Sequence, residues 1–152
     1  MSRDIHLTVA AVIEQDGRFL CVEEVADGAL RINQPAGHLE PGESMIDAVI
    51  RETLEETARD FEPEALLGIY RWRHPTQGST YVRVAFAGRA SPARRGRSLD
   101  AGVVRAVWLD FEELAARTGE HRSPLVMRCV EDHRAGRRYP LDLLRDLAAA
   151  PT

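Results

Sequence analysis

With 152 residues, 44% of them hydrophobic and 29% charged, and a formal net charge of -4, the chain can bury a core without disulfides and is too balanced in composition for a disordered protein. All 20 basic residues are arginine, which excludes a Walker A lysine and Schiff-base catalysis, and the serine-hydrolase and zinc-protease signatures G-x-S-x-G and H-E-x-x-H are absent. No apolar run approaches the roughly 18 residues of a membrane span, the first ten residues lack a signal-peptide core, and Cys21 and Cys129 have no ligand spacing. The expectation is one cytoplasmic domain over 1–152 with free buried thiols.

Residues 6–14, HLTVAAVIE, and 18–25, RFLCVEEV, are β-rich runs, and the intervening QDG predicts that they pair as a hairpin. A short extended segment in GALRINQPAG then breaks at Pro35 and Gly37. PGES supplies a turn and an N-cap at Ser44 for a helix. At about 100° per residue, Ile46, Ile50, Thr53, Leu54 and Thr57 share an arc that reads as the buried face, with Glu52, Glu55 and Glu56 on the opposite, solvent-facing side. Two strands follow over 66–73 and 79–88, separated by HPTQG. In the second, Thr80, Val82, Val84 and Phe86 alternate with Tyr81, Arg83, Ala85 and Ala87, giving one core side and one side that could face a ligand. A polar loop, ASPARRGRSLDAG, precedes a strand in VVRAVWL, a short helix in FEELAART and a longer helix in SPLVMRCVEDHRA, capped by Ser123 with Pro124 at its first position. GRRYPLDLLRDLAAA reads as a turn and a last helical turn or two. This order predicts an α/β fold with a mixed sheet flanked by helices.

The segment PAGHLEPGESMIDAVIRETLEETARD gathers Glu40, Glu43, Glu52, Glu55 and Glu56, although like charges at helical spacing repel. Three carboxylates on one helical stripe, with Glu43 a turn upstream, form a hard oxygen donor set suited to magnesium or manganese. Such ions keep positions open for phosphate oxygens, so phosphoanhydride hydrolysis is the natural chemistry. The alternative is a surface helix with ordinary ion pairs such as Glu55 with Arg59.

Residues 37–59 resemble the Nudix box, G-x5-E-x7-R-E-U-x-E-E-x-G-U with U a bulky aliphatic, matching it at Gly37, Glu43, Arg51, Glu52, Glu55 and Glu56. Thr53 and Arg59 stand at aliphatic positions, and Ala58 replaces a Gly that usually ends the helix, so the helix is expected to run on or end differently. The resemblance implies a Nudix α/β/α sandwich and divalent-metal hydrolysis of phosphorus anhydrides. It implies Glu52, Glu55 and Glu56 as metal ligands with the carbonyl of Ala36, Arg51 as the residue that orients them, and Glu43 as a supporting carboxylate.

HLTVAAVIEQDGRFLCVEE, NQPAGHLE, RETLEET, RSPLV and GRRYPLDL extend the resemblance to the NudJ-type phosphatase subgroup. That implies phosphate release from nucleoside tri- and diphosphates, thiamine diphosphate or hydroxymethylpyrimidine diphosphate. Tyr70, Trp72, Tyr81 and Arg83 are candidates for holding the head group of such a small-molecule substrate. ARRGR at 93–97 reads as a solvated loop, and no nucleic-acid or membrane partner is expected. Two alternatives are an ADP-ribose or nucleoside-diphosphate-sugar pyrophosphatase, for which Pro75 is a weak sign, and a non-catalytic nucleotide-sensing Nudix module. The sequence leaves the oligomeric state open.

Overall fold

An Asp-Gly step decides where the first long β run breaks. Asp16 and Gly17 both take positive φ (53° and 77°), the requirement of a two-residue I′ turn. In the computed structural model, which describes residues 4–147, that turn joins β2 (Glu14–Gln15) to β3 (Arg18–Ala26). The hairpin is therefore shallow, and β1 (Ile5–Val12) is not its partner. The chain bends between Val12 and Glu14 and sends the two β-rich runs into different sheets, which corrects the hairpin expected over 6–14 and 18–25.

The remaining elements are β4 (Ala29–Asn33), β5 (Ala36–His38), α1 (Met45–Thr57), β6 (Phe61–Arg73), β7 (Thr80–Ala90), β8 (Val103–Asp110), α2 (Phe111–Ala116) and α3 (Leu125–Arg134). One four-stranded sheet runs β5-β1-β7-β6, with β1 parallel to β7 and the other neighbours antiparallel. In the other, β3 pairs with β2, β4 and β8.

Alternation along β1 explains the layers. Val9, Ala11 and Ile13 pack with Ala48 and Val49 of α1, while Ala10 and Val12 pack with Leu114 of α2 and Cys129 and Val130 of α3. Helices therefore cover both faces, and β1 reads as a continuous apolar run, as a strand buried on both sides must. The same holds for β7, where Arg83, Val84, Ala85, Phe86 and Ala87 are all buried, so its expected ligand-facing side is mostly interior.

Helix α1 begins as read, with Ser44 Oγ accepting the Asp47 N–H at 3.0 Å. Its buried residues are Ala48, Val49, Thr53, Glu56 and Thr57, whereas Ile46 and Ile50 pack at the margin and Leu54 is half-buried. Small residues lie beneath because the helix approaches the strands closely. The hydroxyls of Thr53 and Thr57 are satisfied by the carbonyls one turn back, Val49 at 2.8 Å and Thr53 at 2.6 Å. The helix does not run on: Ala58 takes the left-handed φ of 60° that a Gly would take there.

Further along, β6 starts at Phe61, earlier than expected, and Ser123 Oγ accepts the Leu125 N–H at 3.1 Å ahead of α3. Of GRRYPLDL, Tyr139 exchanges two 2.8 Å backbone hydrogen bonds with Leu66 and Leu141–Leu143 forms one 3-10 turn, so the motif ties the chain end to β6. Residues 144–147 form no helix, so the expected last helical turn is limited to that 3-10 turn as far as 147, and residues 148–152 lie outside the described residues. Among the described residues no helix is long and apolar enough to cross a membrane.

Candidate active site

Arg51 organises the carboxylates of the box. Its guanidinium donates to both oxygens of Glu43 (Nε to Oε2 at 3.0 Å, Nη2 to Oε1 at 2.7 Å), to Glu52 Oε1 at 2.8 Å and to Glu55 Oε2 at 3.2 Å. It also donates to the carbonyl of His38 at 3.1 Å, which fixes the loop before the helix. The Arg51 hydrogen bond holds Glu43 below the usual carboxylate range, and Glu43 in turn raises the Arg51 pKa. Glu55 pairs with Arg51 and not with Arg59, whose guanidinium donates to Ser91 O and lies over Trp108.

Charge is not balanced there. Burial raises Glu52 against the pull of Arg51, and burial followed by the charge of Asp100 raises Glu55. Glu56 departs furthest from expectation, being 8% exposed and not solvent-facing. It accepts the Ala36 N–H at 2.8 Å, and burial pushes its carboxyl up to about 8. A helix that meets the β5 loop edge-on must bury whichever residue faces that loop, and here it is a Glu with a backbone donor waiting for it.

Gly37 has a steric reason. A Cβ at that position would lie 2.1 Å from Cδ and 2.2 Å from Oε1 of Glu52, so the loop and the carboxylate keep their present positions only without a side chain there. By the chemistry of their donors, Glu52, Glu55 and Glu56 are a hard oxygen set that could hold a divalent cation once their carboxylates turn to a common point. Among the described residues no three His, Cys, Asp or Glu side chains converge on one point, since Arg51 and the Ala36 N–H hold these carboxylates in their present directions. Asp100 was not found from sequence. It is the only acid between Ser91 and Gly102, and its N–H donates to the Glu55 carbonyl at 3.0 Å.

Beside the loop lies a cavity of about 570 Å³ whose lining includes Ala36, Gly37 and His38, and its buried lining members are Thr8, Asn33, Arg83 and Leu125. Trp72 and Tyr81 wall it with ring centroids 5.7 Å apart, and His6 stacks on Tyr81 at 4.8 Å. Arg83, 4% exposed, donates from Nη1 to Gln34 Oε1 at 2.8 Å and from Nη2 to Asn33 Oδ1 at 2.9 Å. Trp72, Tyr81 and Arg83 thus share one cavity. Tyr70 does not line it: its hydroxyl donates to Asp132 Oδ2 at 2.7 Å and its ring packs on the core. His6 and His38, with ring nitrogens 3.0 Å apart, were not paired by sequence because 32 residues separate them. In ARRGR, Arg94 forms a two-pronged pair with Asp60 (3.1 and 2.6 Å) and its N–H caps the Ala58 carbonyl, so the segment braces the end of α1.

The NUDIX domain family model matches residues 4–129. The chain belongs to the Nudix family. This Nudix protein is 34% identical over 141 residues to Phosphatase NudJ of Escherichia coli strain K12, covering 93% of this chain and 91% of the relative. A NUDIX hydrolase structure from Nitrosomonas europaea matches with a TM-score of 0.92 and 52% identity, over 95% of this chain and 98% of that one. An ADP-ribose pyrophosphatase from Streptococcus suis, 20% identical with a TM-score of 0.63, covers 85% of this chain and 92% of its own and shares the fold. As a Nudix hydrolase the protein acts on phosphorus anhydrides of small nucleotide-type molecules, in a family that generally uses divalent metal ions.

Proposed function

We propose that this Nudix hydrolase is a magnesium-dependent, NudJ-like phosphohydrolase that releases phosphate from nucleoside di- and triphosphates and from thiamine-type diphosphates. Manganese is the natural substitute ion. The observation that carries the reading is the Arg51 cluster, with the Glu52 carboxylate seated against Gly37. The 34% identity to a phosphatase over most of both chains supports phosphate release in particular.

In this reading Glu52, Glu55 and Glu56, with the Ala36 carbonyl, hold the ion. When bound, the ion would neutralise the carboxylates, polarise a phosphoryl oxygen and lower the pKa of an attacking water. Glu52 and Glu55 would turn from Arg51 toward the ion, while Arg51, still gripped on two sides by Glu43 and bonded to the His38 carbonyl, would hold the loop against the helix. Glu56 must give up any proton it carries near neutral pH before it can ligate. Trp72 and Tyr81 receive a planar head beside the phosphate end. The chain acts as one catalytic unit.

The test is a product analysis with magnesium and a panel of ADP, GDP, GTP, thiamine diphosphate, hydroxymethylpyrimidine diphosphate and ADP-ribose. Orthophosphate from the diphosphates is expected. AMP from ADP-ribose with no orthophosphate from the diphosphates would overturn the proposal in favour of a pyrophosphatase, and no turnover at all would favour a nucleotide sensor.

A further inference from the structure

The cavity wall is aromatic and suits any flat ring, but its buried polar members do not. Asn33, 9% exposed, accepts at Oδ1 from both Arg83 Nη2 and the Gln34 N–H (3.0 Å). Donors on both sides fix the amide orientation, so the end of Asn33 that is left is its NH2 group. Gln34 Oε1 accepts from Arg83, and Gln34 Nε2 donates to the Val126 carbonyl at 2.8 Å, so that amide is satisfied inside the protein. Arg83 has no acceptor function, and its Nε is buried without any partner. Its hydrogen-bond partners are neutral amide oxygens, which leave the guanidinium charge uncompensated by them. Thr8 donates to the Val82 carbonyl at 3.4 Å, and a hydroxyl can turn to serve as donor or acceptor, so it does not set the polarity.

We propose that the cavity selects its head group by hydrogen-bond polarity: Arg83 and Asn33 present donors, so a 6-ketopurine, which offers two acceptors on one edge, is taken in preference to adenine. This deepens the phosphohydrolase reading and rests on it for the position of the phosphates. A ring stacked by Trp72 and Tyr81 turns an edge toward the buried pair. Guanine and hypoxanthine place O6 and N7 on that edge, the pair that an arginine fork engages. Adenine places its N6 amino group there, donor against donor, and leaves the buried donors unsatisfied. Aminopyrimidine heads, as in thiamine diphosphate, carry an amino group beside a ring nitrogen and rank below the ketopurines for the same reason.

The experiment compares IDP and GDP with ADP by phosphate release, and IMP with AMP by calorimetric binding, using the full chain and Asn33→Asp. The expected kcat/KM for IDP exceeds that for ADP by about 10-fold or more, carried mainly by KM. Asn33→Asp keeps the shape, replaces the donor by an acceptor and gives Arg83 a carboxylate, so the fold is retained and the IDP:ADP ratio falls by about 10-fold. Equal values within about 2-fold for IDP and ADP in the parent would overturn the selectivity while leaving phosphate release standing. If no diphosphate were hydrolysed, the phosphohydrolase reading would fall, and the binding pair would still decide: tighter IMP sustains the selectivity and equal affinities overturn it. Displacement of IMP by millimolar orthophosphate without metal would also overturn it, since Arg83 would then be an anion seat and not a reader of the ring.

Discussion

Two buried or half-buried arginines sit on either side of the loop formed by Ala36, Gly37 and His38, and their surroundings are opposite. Arg51 is ringed by Glu43, Glu52 and Glu55, with Glu40 at 3.6 Å, so one positive charge faces several negative ones. Arg83 donates to the amide oxygens of Gln34 and Asn33 and to no carboxylate in these hydrogen bonds. The first region carries excess negative charge and calls for a cation. The second presents buried donors and calls for acceptors. A molecule with a flat, acceptor-bearing head and a metal-associated phosphate tail would satisfy both.

The comparison can be broken first on the acidic side. Glu56→Gln removes the charge of a proposed ligand, and phosphate release is expected to fall by at least about 100-fold. Its thermal midpoint in the absence of metal should hold or rise, because a neutral amide replaces a buried carboxylate. Normal turnover would remove Glu56 from the site. Gly37→Ala drives a methyl group into the Glu52 carboxylate, so that side chain or the loop must shift, and a loss of about 10-fold or more in kcat/KM is expected from the displaced geometry.

A pH series sharpens the same contrast. Glu56 has a folded pKa of about 8 against 4.5 for an unperturbed Glu, so its burial carries no penalty below 4.5, an increasing one as pH rises toward 8, and the full penalty above. Metal-free stability should therefore decline between those values from this residue, and urea unfolding of Glu56→Gln should lack that component of the slope. The gain in thermal midpoint from millimolar magnesium should grow over the same interval, since binding requires the deprotonated form. The smallest effect belongs to Ala58→Gly. Relief of a left-handed alanine is expected to raise unfolding stability by about 1 kcal/mol in a denaturant titration, with turnover unchanged.

The carboxylate side was legible in the sequence because Gly37 through Glu56 is one contiguous loop and helix, and spacing along a helix converts directly into a face. What escaped was everything that depends on a second segment. The burial of Glu56 follows from the Ala36 N–H, and hydropathy assigns a Glu to solvent wherever no such donor is known. Asp100 meets Glu55 only through the folded loop. Arg83 was singled out as a ligand-facing residue, and it does line the cavity, yet its amide partners Asn33 and Gln34 lie 50 and 49 residues away. Thr53 and Thr57 are buried as the helical arc predicts, whereas the Ile residues drew that arc toward themselves and away from Ala48 and Val49, which are buried in their place.

The pairing of β1 with β7 bears on how the molecule comes into being. Ile5 lies opposite Thr80, so the most apolar strand, made first, has its parallel neighbour only after half the chain has followed. Such non-local pairing delays folding and leaves Val9 to Ile13 without cover in the meantime, a stretch prone to self-association. Arg83 inherits that delay because β7 itself carries it, whereas the loop that seats Glu52 is held by β5 against β1, a pairing that does not wait for β7. The carboxylate loop can therefore take its place before the cavity wall that carries Arg83, and the two meet when β7 docks beside β1.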